Sequence, residues 1–265
     1  MIGNKKRILF IILHFLIANP TNAQFNYSFV KHLSTHNLQK EHFTYLQELP
    51  ETEQDSRNYL FAKYYLQYFN DSLFISFYLG SKEMFMRDSN AFIMANIRFL
   101  KENNSFQKLW FDSYKDRNVS EENKIIQDAY MASINPLDFD AGLLPDKLQF
   151  GFNKYKKSEK KKPVVAAMLS GLIPGLGKLY AGRKRSFYTV LFFHLIYGAQ
   201  NYELINRLGI QNPFSIVSLS FLGVFYVANI YGSYQDVKEV NKESKTQFLN
   251  DASEYYNFHY SRDLY

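Results

Sequence analysis

The sequence has no cysteine among its 265 residues, one tryptophan and only 12 glycines. Without cysteine the chain has no disulfide framework, no thiolate metal site and no cysteine nucleophile. Net positive charge is also confined to two short segments. Residues 154–162 carry six lysines and one glutamate (+5) and residues 183–185 carry +3, so the rest of the chain, within a total of +6, has a net charge of −2. Because a nucleic-acid-binding domain spreads basic residues over its surface, we predict no nucleic-acid partner.

The first 23 residues have the pattern of a secretory signal. Lys5, Lys6 and Arg7 precede an apolar run of 11 residues at 8–18, and Ala23 is a small residue of the kind that signal peptidase reads. Such a run spans only about half of the bilayer core as a helix. We therefore predict a signal peptide at 1–23, with an uncleaved signal anchor as the alternative. The predicted location is a bacterial cell envelope, in the inner membrane with a periplasmic N-terminal domain.

Residues 24–152 read as successive helices without the alternation of a β-strand. The expected helices are 57–69, 73–80, 91–100, 106–113 and 121–134, each starting near a side chain that can cap a helix. Ala62, Ala95 and Ala129 recur at steps of 33 and 34 residues. In this period and in its alternation of small and large residues the region resembles tetratricopeptide repeats. It departs from them in lacking the first-helix glycine and in its interruption at Pro136; an irregular helical bundle is the alternative.

Stacked helix hairpins form a concave face that binds peptides or proteins. Candidates for that face are Tyr64, Tyr65, Tyr68 and Tyr78. Tyrosines at helical spacing more often pack in a core, so the sequence predicts a protein partner without assigning a residue to it.

Side chains with catalytic or metal-binding chemistry are few. His32 and His36 are four residues apart, but the glutamate of an HExxH zinc motif is missing. His194 lies in an apolar run, which either a functional role or a bond to a neighbouring carbonyl would explain. The sequence therefore predicts neither an enzyme nor a cofactor.

The stretch 171–186, GLIPGLGKLYAGRKRS, has the glycines and lysine of a phosphate loop at the wrong spacing. Five residues separate Gly171 from Gly177 where a Walker loop has four, and leucine follows Lys178 where that loop has a hydroxyl residue. Residues 163–177, 187–202 and 208–235 contain no charge, and eight of the 12 glycines lie between Gly171 and Gly232. Apolar segments rich in small residues are typical of membrane helices. Buried helices of a large soluble core are the alternative.

A Pro-Gly-x-Gly-x-x-aromatic-x-Gly motif is formed by Pro174, Gly175, Gly177, Tyr180 and Gly182. With Arg183 after it, the segment 162–235 resembles small prokaryotic membrane domains related to the two-transmembrane domain family. The resemblance implies a membrane domain without catalytic residues. This chain departs from the family in a third apolar segment and in the basic residue at position 178.

The motif has a physical interpretation as a membrane-interface turn. Pro174 and the glycines allow the first apolar segment to end or fold back. We expect Tyr180 at the level of the lipid headgroups, and contacts of Arg183, Lys184 and Arg185 with lipid phosphate. Membrane lipid is therefore a predicted partner.

The predicted architecture is all-α, with tetratricopeptide-like helical hairpins followed by a two- to three-helix transmembrane hairpin domain. The expected parts are the signal (1–23), an exported repeat domain (24–152), a basic linker (153–162), the membrane domain (163–235) and a helical tail (236–265). The third apolar segment is long enough to cross a bilayer, whereas the first two are short and cross only as a tilted or re-entrant hairpin. Three crossings would place the basic residues 154–162 outside and 183–185 inside, and only the second cluster follows the preference for cytoplasmic lysine and arginine.

The predicted function is noncatalytic: the repeat domain holds a protein partner at the membrane surface. The alternative is a role of the membrane domain in lipid handling, transport or membrane-protein assembly, with the repeat domain regulating it.

Overall fold

The computed structural model describes residues 26–49, 54–68, 70–102, 104–115 and 117–260, and in these ranges the chain is helical and contains no strand. The predicted signal at 1–23 lies outside the described residues. The α-helices are α1 (Tyr27–Thr35), α2 (Gln39–Gln47), α3 (Gln54–Gln67), α4 (Asp71–Gly80), α5 (Lys82–Arg87), α6 (Ser89–Lys101), α7 (Ser105–Asp112), α8 (Glu121–Ile134), α9 (Asp146–Glu159), α10 (Pro163–Leu172), α11 (Leu176–Ala181), α12 (Lys184–Leu208) and α13 (Pro213–Tyr260), with a 3-10 turn at Ala141–Leu143. The all-α prediction is confirmed.

The chain divides into two compact units. The first contains the described residues up to Arg117 together with those from Asn257 onward, and the second is Asn118–Tyr256. The domain boundary predicted at residue 152 lies inside α9, and the one predicted at 235 lies inside α13. Both helices continue because neither position has a proline, and a change from apolar to charged residues does not by itself end a helix.

The first unit is built on two successive helix pairs, α3–α4 and α6–α7. In the first pair, the rings of Phe61 and Tyr65 stack on Phe77 with centroids 4.9 and 5.5 Å apart. The second helix of each pair is capped by an asparagine one residue before it starts. Asn70 accepts a hydrogen bond from the Leu73 N–H, and Asn104 accepts from two N–H groups of α7. These side chains satisfy backbone donors that the short turns would leave unpaired.

The single tryptophan is the centre of the first unit's core. The Trp110 side chain is fully buried. Its ring centroid lies 4.6–5.5 Å from those of Phe74, Tyr78, Phe92 and Phe99. The indole Nε1–H donates to the Asn96 side-chain oxygen at 2.8 Å. Tryptophan fluorescence therefore reports the folding of the first unit alone.

Two ion pairs join the helix pairs of the first unit. Lys63 Nζ lies 2.8 Å from Asp88 Oδ2, and Arg98 Nη2 lies 2.5 Å from Asp71 Oδ1. Burial alone would raise the pKa of Asp88, but hydrogen bonds from Lys63 and Tyr59 lower it below its ordinary value. The carboxylate at position 88 is therefore charged at neutral pH and caps α6 as well.

The second unit packs α9 against the C-terminal half of α13. Phe152 and Tyr155 contact Phe248 with ring centroids 5.4 and 6.0 Å apart. The Tyr155 hydroxyl donates to the Ser133 carbonyl at 2.9 Å, and the Tyr256 hydroxyl donates to the Ile125 carbonyl at 3.1 Å. These contacts fix the charged half of α13 on α8 and α9, so the helix continues well beyond its apolar segment.

A buried histidine in the first unit couples its stability to pH. The His42 side chain is fully buried and lies edge-on to Tyr64 and Tyr68, with ring centroids 5.0 and 6.0 Å apart. Burial lowers the pKa of His42 to about 4, because the imidazolium loses its hydration. The unfolded chain, with an ordinary histidine pKa of about 6.5, binds the proton more readily between these pH values. The contribution of His42 is therefore complete above about pH 6.5 and is lost as the pH falls toward 4.

We expect the first unit to lose about 2 kcal/mol of unfolding free energy between pH 7 and pH 5 through His42 alone. Replacing His42→Leu should remove this part of the pH dependence, whereas replacing the exposed His32→Leu should preserve it. Urea unfolding in detergent, monitored by Trp110 fluorescence, gives the unfolding free energy of wild type and of both variants at each pH. An unfolding free energy that depends equally on pH in wild type and in His42→Leu would contradict the assignment of this pH dependence to His42.

Candidate functional site

The Pro-Gly-x-Gly segment forms the tight connection between α10 and α11. α10 ends at Leu172 and α11 begins at Leu176. Gly175 has a φ of 85° and Gly182, which ends α11, has a φ of 101°. Both values lie in the left-handed region that glycine adopts without strain. The chain therefore turns back at Gly175, and α11 ends at Gly182.

Gly177 is the position at which α11 touches α10. A Cβ atom there would lie 2.0 Å from the Ala166 carbonyl oxygen and 2.6 Å from Ser170 Oγ, so only glycine fits. The Gly177 N–H donates to Ser170 Oγ at 2.9 Å, and Ser170 Oγ donates to Ser233 Oγ at 2.6 Å. One serine hydroxyl thus links α10, α11 and α13.

An ionic cluster lies next to this contact. Lys178 Nζ is 2.7 Å from Asp236 Oδ2, and Arg183 Nη1 is 3.0 Å from Asp236 Oδ1. Arg183 Nη2 also lies 2.7 Å from Glu239 and 3.6 Å from Glu243. The side chains of Lys178 and Asp236 are only 14% and 11% exposed. In such a poorly hydrated pair, loss of Asp236 leaves the charge of Lys178 uncompensated, whereas Asp236 without Lys178 keeps its contact with Arg183.

This cluster differs from the lipid-phosphate role that the sequence suggests for Arg183, Lys184 and Arg185. The Arg183 guanidinium faces three carboxylates of α13, and sequence reasoning missed them. The signal was available: acidic residues at positions 236, 239 and 243 share one helical face directly after a charge-free segment. Lys184 and Arg185 are exposed and form no ion pair within the described ranges, and their contact with lipid phosphate stays a prediction.

The two ends of the α10–α11 pair meet. The Lys162 N–H donates to the Tyr180 hydroxyl at 3.1 Å, and Lys161 Nζ donates to the Ala181 carbonyl at 3.0 Å. Burial, with the nearby charge of Lys157, lowers the pKa of Lys161. The aromatic residue of the motif therefore holds the start of α10 beside the end of α11. Nothing in the structure bears on its predicted level in the lipid headgroups.

The apolar parts of α12 and α13 bury polar residues and expose apolar ones. The buried residues are Asn201 in α12 and Ser215, Asn229 and Ser233 within 213–235. Large apolar side chains that are at least half exposed include Phe192, Leu195, Ile196, Phe214, Ile216, Val217, Phe221, Val224 and Val227. Of the described helices, α13 alone is long and apolar enough to cross a membrane by length and composition.

Several of the buried polar atoms of α12 and α13 have no hydrogen-bond partner in the part of the chain that the structure describes. They are the side-chain oxygen of Asn201, the hydroxyl of Ser215 and both amide atoms of Asn229. His194 Nδ1 bonds to the Val190 carbonyl at 2.8 Å, which is one of the two explanations that the sequence left open.

The other candidate residues lie apart from this hairpin. The rings of His32 and His36 are tilted relative to each other, with centroids 4.1 Å apart. In the ranges described, no group of three or more histidine, aspartate or glutamate side chains is placed to hold a metal ion. Tyr78 is buried against Trp110.

Three of the four tyrosines that the sequence singled out line one cleft. It has a volume of about 250 Å³ and is lined by Gln39, Phe43, Tyr64, Tyr65, Tyr68 and Asn70. Tyr64 is buried, whereas Tyr65 and Tyr68 are partly exposed. Burial, followed by the neighbouring Tyr64, raises the pKa of both phenols. The Tyr68 hydroxyl has no hydrogen-bond partner among the described residues.

We expect Gly177→Ala to destabilise the α10–α11 pair by about 3 kcal/mol, because the new methyl group meets a backbone carbonyl that cannot move independently. Gly223→Ala is the matched control, since a Cβ there meets nothing within 4 Å and alanine favours a helix. Thermal unfolding in detergent, followed by circular dichroism, compares them. A Gly177→Ala protein as stable as Gly223→Ala would show that the close helix contact is absent.

Comparison with protein-family models, curated proteins and solved structures finds no match to this chain. The similarity to tetratricopeptide repeats and to the two-transmembrane domain family therefore stays a prediction from the residues named above.

Proposed function

We propose that this protein is a noncatalytic, membrane-anchored adaptor of a bacterial cell envelope, whose helical-repeat region holds a protein partner at the membrane surface. The observation that carries the anchoring is the inverted polarity of α12 and of the apolar part of α13. Their contact surfaces contain asparagine and serine, and their outer surfaces contain phenylalanine, valine and isoleucine. In water this arrangement would leave a large apolar surface hydrated, whereas in hydrocarbon it is the stable one.

The helix lengths support two crossings. α12 has 25 residues, or about 37 Å of helix, and contains a charge-free stretch at 186–202. Residues 213–235 of α13 are charge-free as well and extend about 34 Å. The second length matches a hydrocarbon core of about 30 Å. The charge-free stretch of α12 is shorter, at 17 residues or about 25 Å, so the crossing by α12 rests on its antiparallel contact with α13 and on local thinning of the bilayer. We therefore assign α12 and the first half of α13 to a transmembrane hairpin.

The contacts between successive helix pairs support a tetratricopeptide-like repeat. Ala62, Ala95 and Ala129, one period apart, are all fully buried, as close helix packing requires. The second helices of the two pairs also meet, because Phe74 contacts Trp110 and the Tyr78 hydroxyl shares a hydrogen bond of 2.9 Å with the Ser113 hydroxyl. The short helix α5 between the pairs is an addition to such a repeat.

We place the partner in the aromatic cleft of the first unit. Tyr65 and Tyr68 offer partly exposed rings, and Gln39 and Asn70 offer amide groups at its edge. Rigid aromatic rings beside polar groups are typical contacts for a protein segment, since they give large contact areas at little entropic cost.

A photo-crosslinking amino acid at Tyr65 tests this proposal in membranes from cells that express the full chain. We expect a discrete crosslinked product from position 65, and its loss when Tyr68→Ala is added. The exposed position Lys115, elsewhere on the first unit, is the matched control and should give no product. Equal products from positions 65 and 115, or a product unaffected by Tyr68→Ala, would contradict partner binding in the cleft.

A second candidate is favoured by the buried polar atoms of Asn201, Ser215 and Asn229, which have no partner among the described residues. Polar groups inside a membrane hairpin are costly and commonly serve transport or lipid handling. In this alternative the repeat region is regulatory. Deleting residues 24–117, which leaves the second unit whole, separates the two candidates: an adaptor loses all ability to complement a null strain, and a membrane-domain activity retains part of it.

A further inference from the structure

We propose that α10 and α11 form a re-entrant hairpin that enters and leaves the bilayer from one side, so that the basic clusters 154–162 and 183–185 form one surface for the anionic headgroups of a single leaflet. This inference rests on the membrane anchoring proposed above. It replaces the three crossings that the apolar segments suggest in sequence, in which the two clusters face opposite sides.

The length of α10 is the first argument. Its 10 residues extend about 15 Å, which is half of a hydrocarbon core of about 30 Å. α11 has only six residues before Gly182 ends it. Neither helix crosses a bilayer, and the turn at Gly175 makes the second return along the first.

The ends of the hairpin lie at the same level. Lys162 bonds to Tyr180, and Lys161 bonds to Ala181, at 3.1 and 3.0 Å. A segment that crossed the membrane would separate its two ends by the full bilayer thickness. Here the residues before and after the hairpin are hydrogen-bonded to each other.

The tip of the hairpin reaches only part of the way along the two long helices. The Gly171 carbonyl accepts a hydrogen bond of 2.6 Å from the Tyr226 hydroxyl, and Tyr226 lies ten residues, or about 15 Å of helix, before Asp236. On α12, a Cβ at Gly175 would lie 3.0 Å from the Phe187 carbonyl oxygen, in the first turns of that helix.

The long helices α12 and α13 are antiparallel, and this determines at which end of the pair each charged cluster lies. Phe193 contacts Phe225 with ring centroids 5.1 Å apart, while Arg183 lies 2.7 Å from Glu239. Residues with higher numbers on α12 therefore contact residues with lower numbers on α13. The ionic cluster and both basic clusters therefore lie at one end of the α12–α13 pair, and residues 209–212, which connect the two helices, lie at the other end.

The charges are correspondingly one-sided. The two clusters sum to +8, whereas residues 209–212 (GIQN) carry no charge. Lys160, Lys162, Lys184 and Arg185 are all exposed, beside the exposed apolar faces of α10 and α12. Basic side chains at such an edge attract anionic headgroups. By the preference for cytoplasmic basic residues this is the cytoplasmic surface, opposite to the export that the predicted signal implies.

The cysteine-free sequence makes the sidedness directly measurable. Single cysteines at Lys160, Lys184, Gln211 and Lys242, all exposed, are labelled in the full chain with an impermeant maleimide, in intact and in permeabilised cells. An external cysteine reacts in both conditions and an internal one only after permeabilisation. We expect 160, 184 and 242 to share one of these two patterns and 211 to show the other. Reaction of 160 and 184 from opposite sides overturns the re-entrant hairpin. One shared pattern at all four positions, with the protein in the soluble fraction, overturns the membrane anchoring itself.

Headgroup binding is measured on the full chain in nanodiscs with and without phosphatidylglycerol. We expect the anionic lipid to raise the melting temperature of wild type, and either Lys160→Gln/Lys162→Gln or Lys184→Gln/Arg185→Gln to remove roughly half of that increase. Lys124→Gln/Lys147→Gln removes the same charge from exposed sites elsewhere in the second unit and should leave it unchanged. The shared surface is overturned if substitutions in only one cluster reduce the lipid-induced rise in melting temperature. It is also overturned if Lys124→Gln/Lys147→Gln reduces that rise equally.

Discussion

The close approach of α11 to α10 at Gly177 is the constraint on which the contacts among α10, α11 and α13 depend. Because no side chain separates the two backbones, the Ser170 hydroxyl accepts from the Gly177 N–H and still reaches Ser233 on α13. The next residue, Lys178, is then directed at Asp236. A single small residue thus brings three helices together through hydrogen bonds and charge.

This way of joining helices explains the polarity of the surface around them. Hydroxyl, amide and ionic contacts hold the helices to one another, so the large apolar side chains are left to face outward. In water such an assembly would be unstable, because polar contacts gain little free energy there and the apolar surface stays hydrated. In hydrocarbon the apolar surface costs nothing and close packing of small residues becomes the main source of association. In the proposed membrane anchoring, the ionic cluster lies at the end of the α12–α13 pair that is in contact with water.

The sequence predicts local features well and distant pairings poorly. The helix Glu121–Ile134 was predicted with its observed bounds, and the repeated alanines mark buried positions, because periodicity reports directly on which face a helix buries. The pairing of Arg183 with residues of α13 was missed, since it joins positions more than 50 residues apart. The boundaries placed at 152 and 235 lie inside helices because tertiary contacts, such as those of Phe248, support a helix through a change of composition. The signal at 1–23 and the membrane crossings stay predictions.

The measurement that tests the anchoring most directly is an accessibility scan of nitroxide labels along residues 214–231 of the chain in lipid bilayers. With electron paramagnetic resonance, collisions with oxygen report hydrocarbon and collisions with a water-soluble nickel complex report water. We expect high oxygen and low nickel accessibility at Val217, Val224 and Val227, with low accessibility to both at Ser215 and Asn229. High nickel accessibility at the three valines would show that this face lies in water, and would contradict the membrane anchoring on which the proposed function depends.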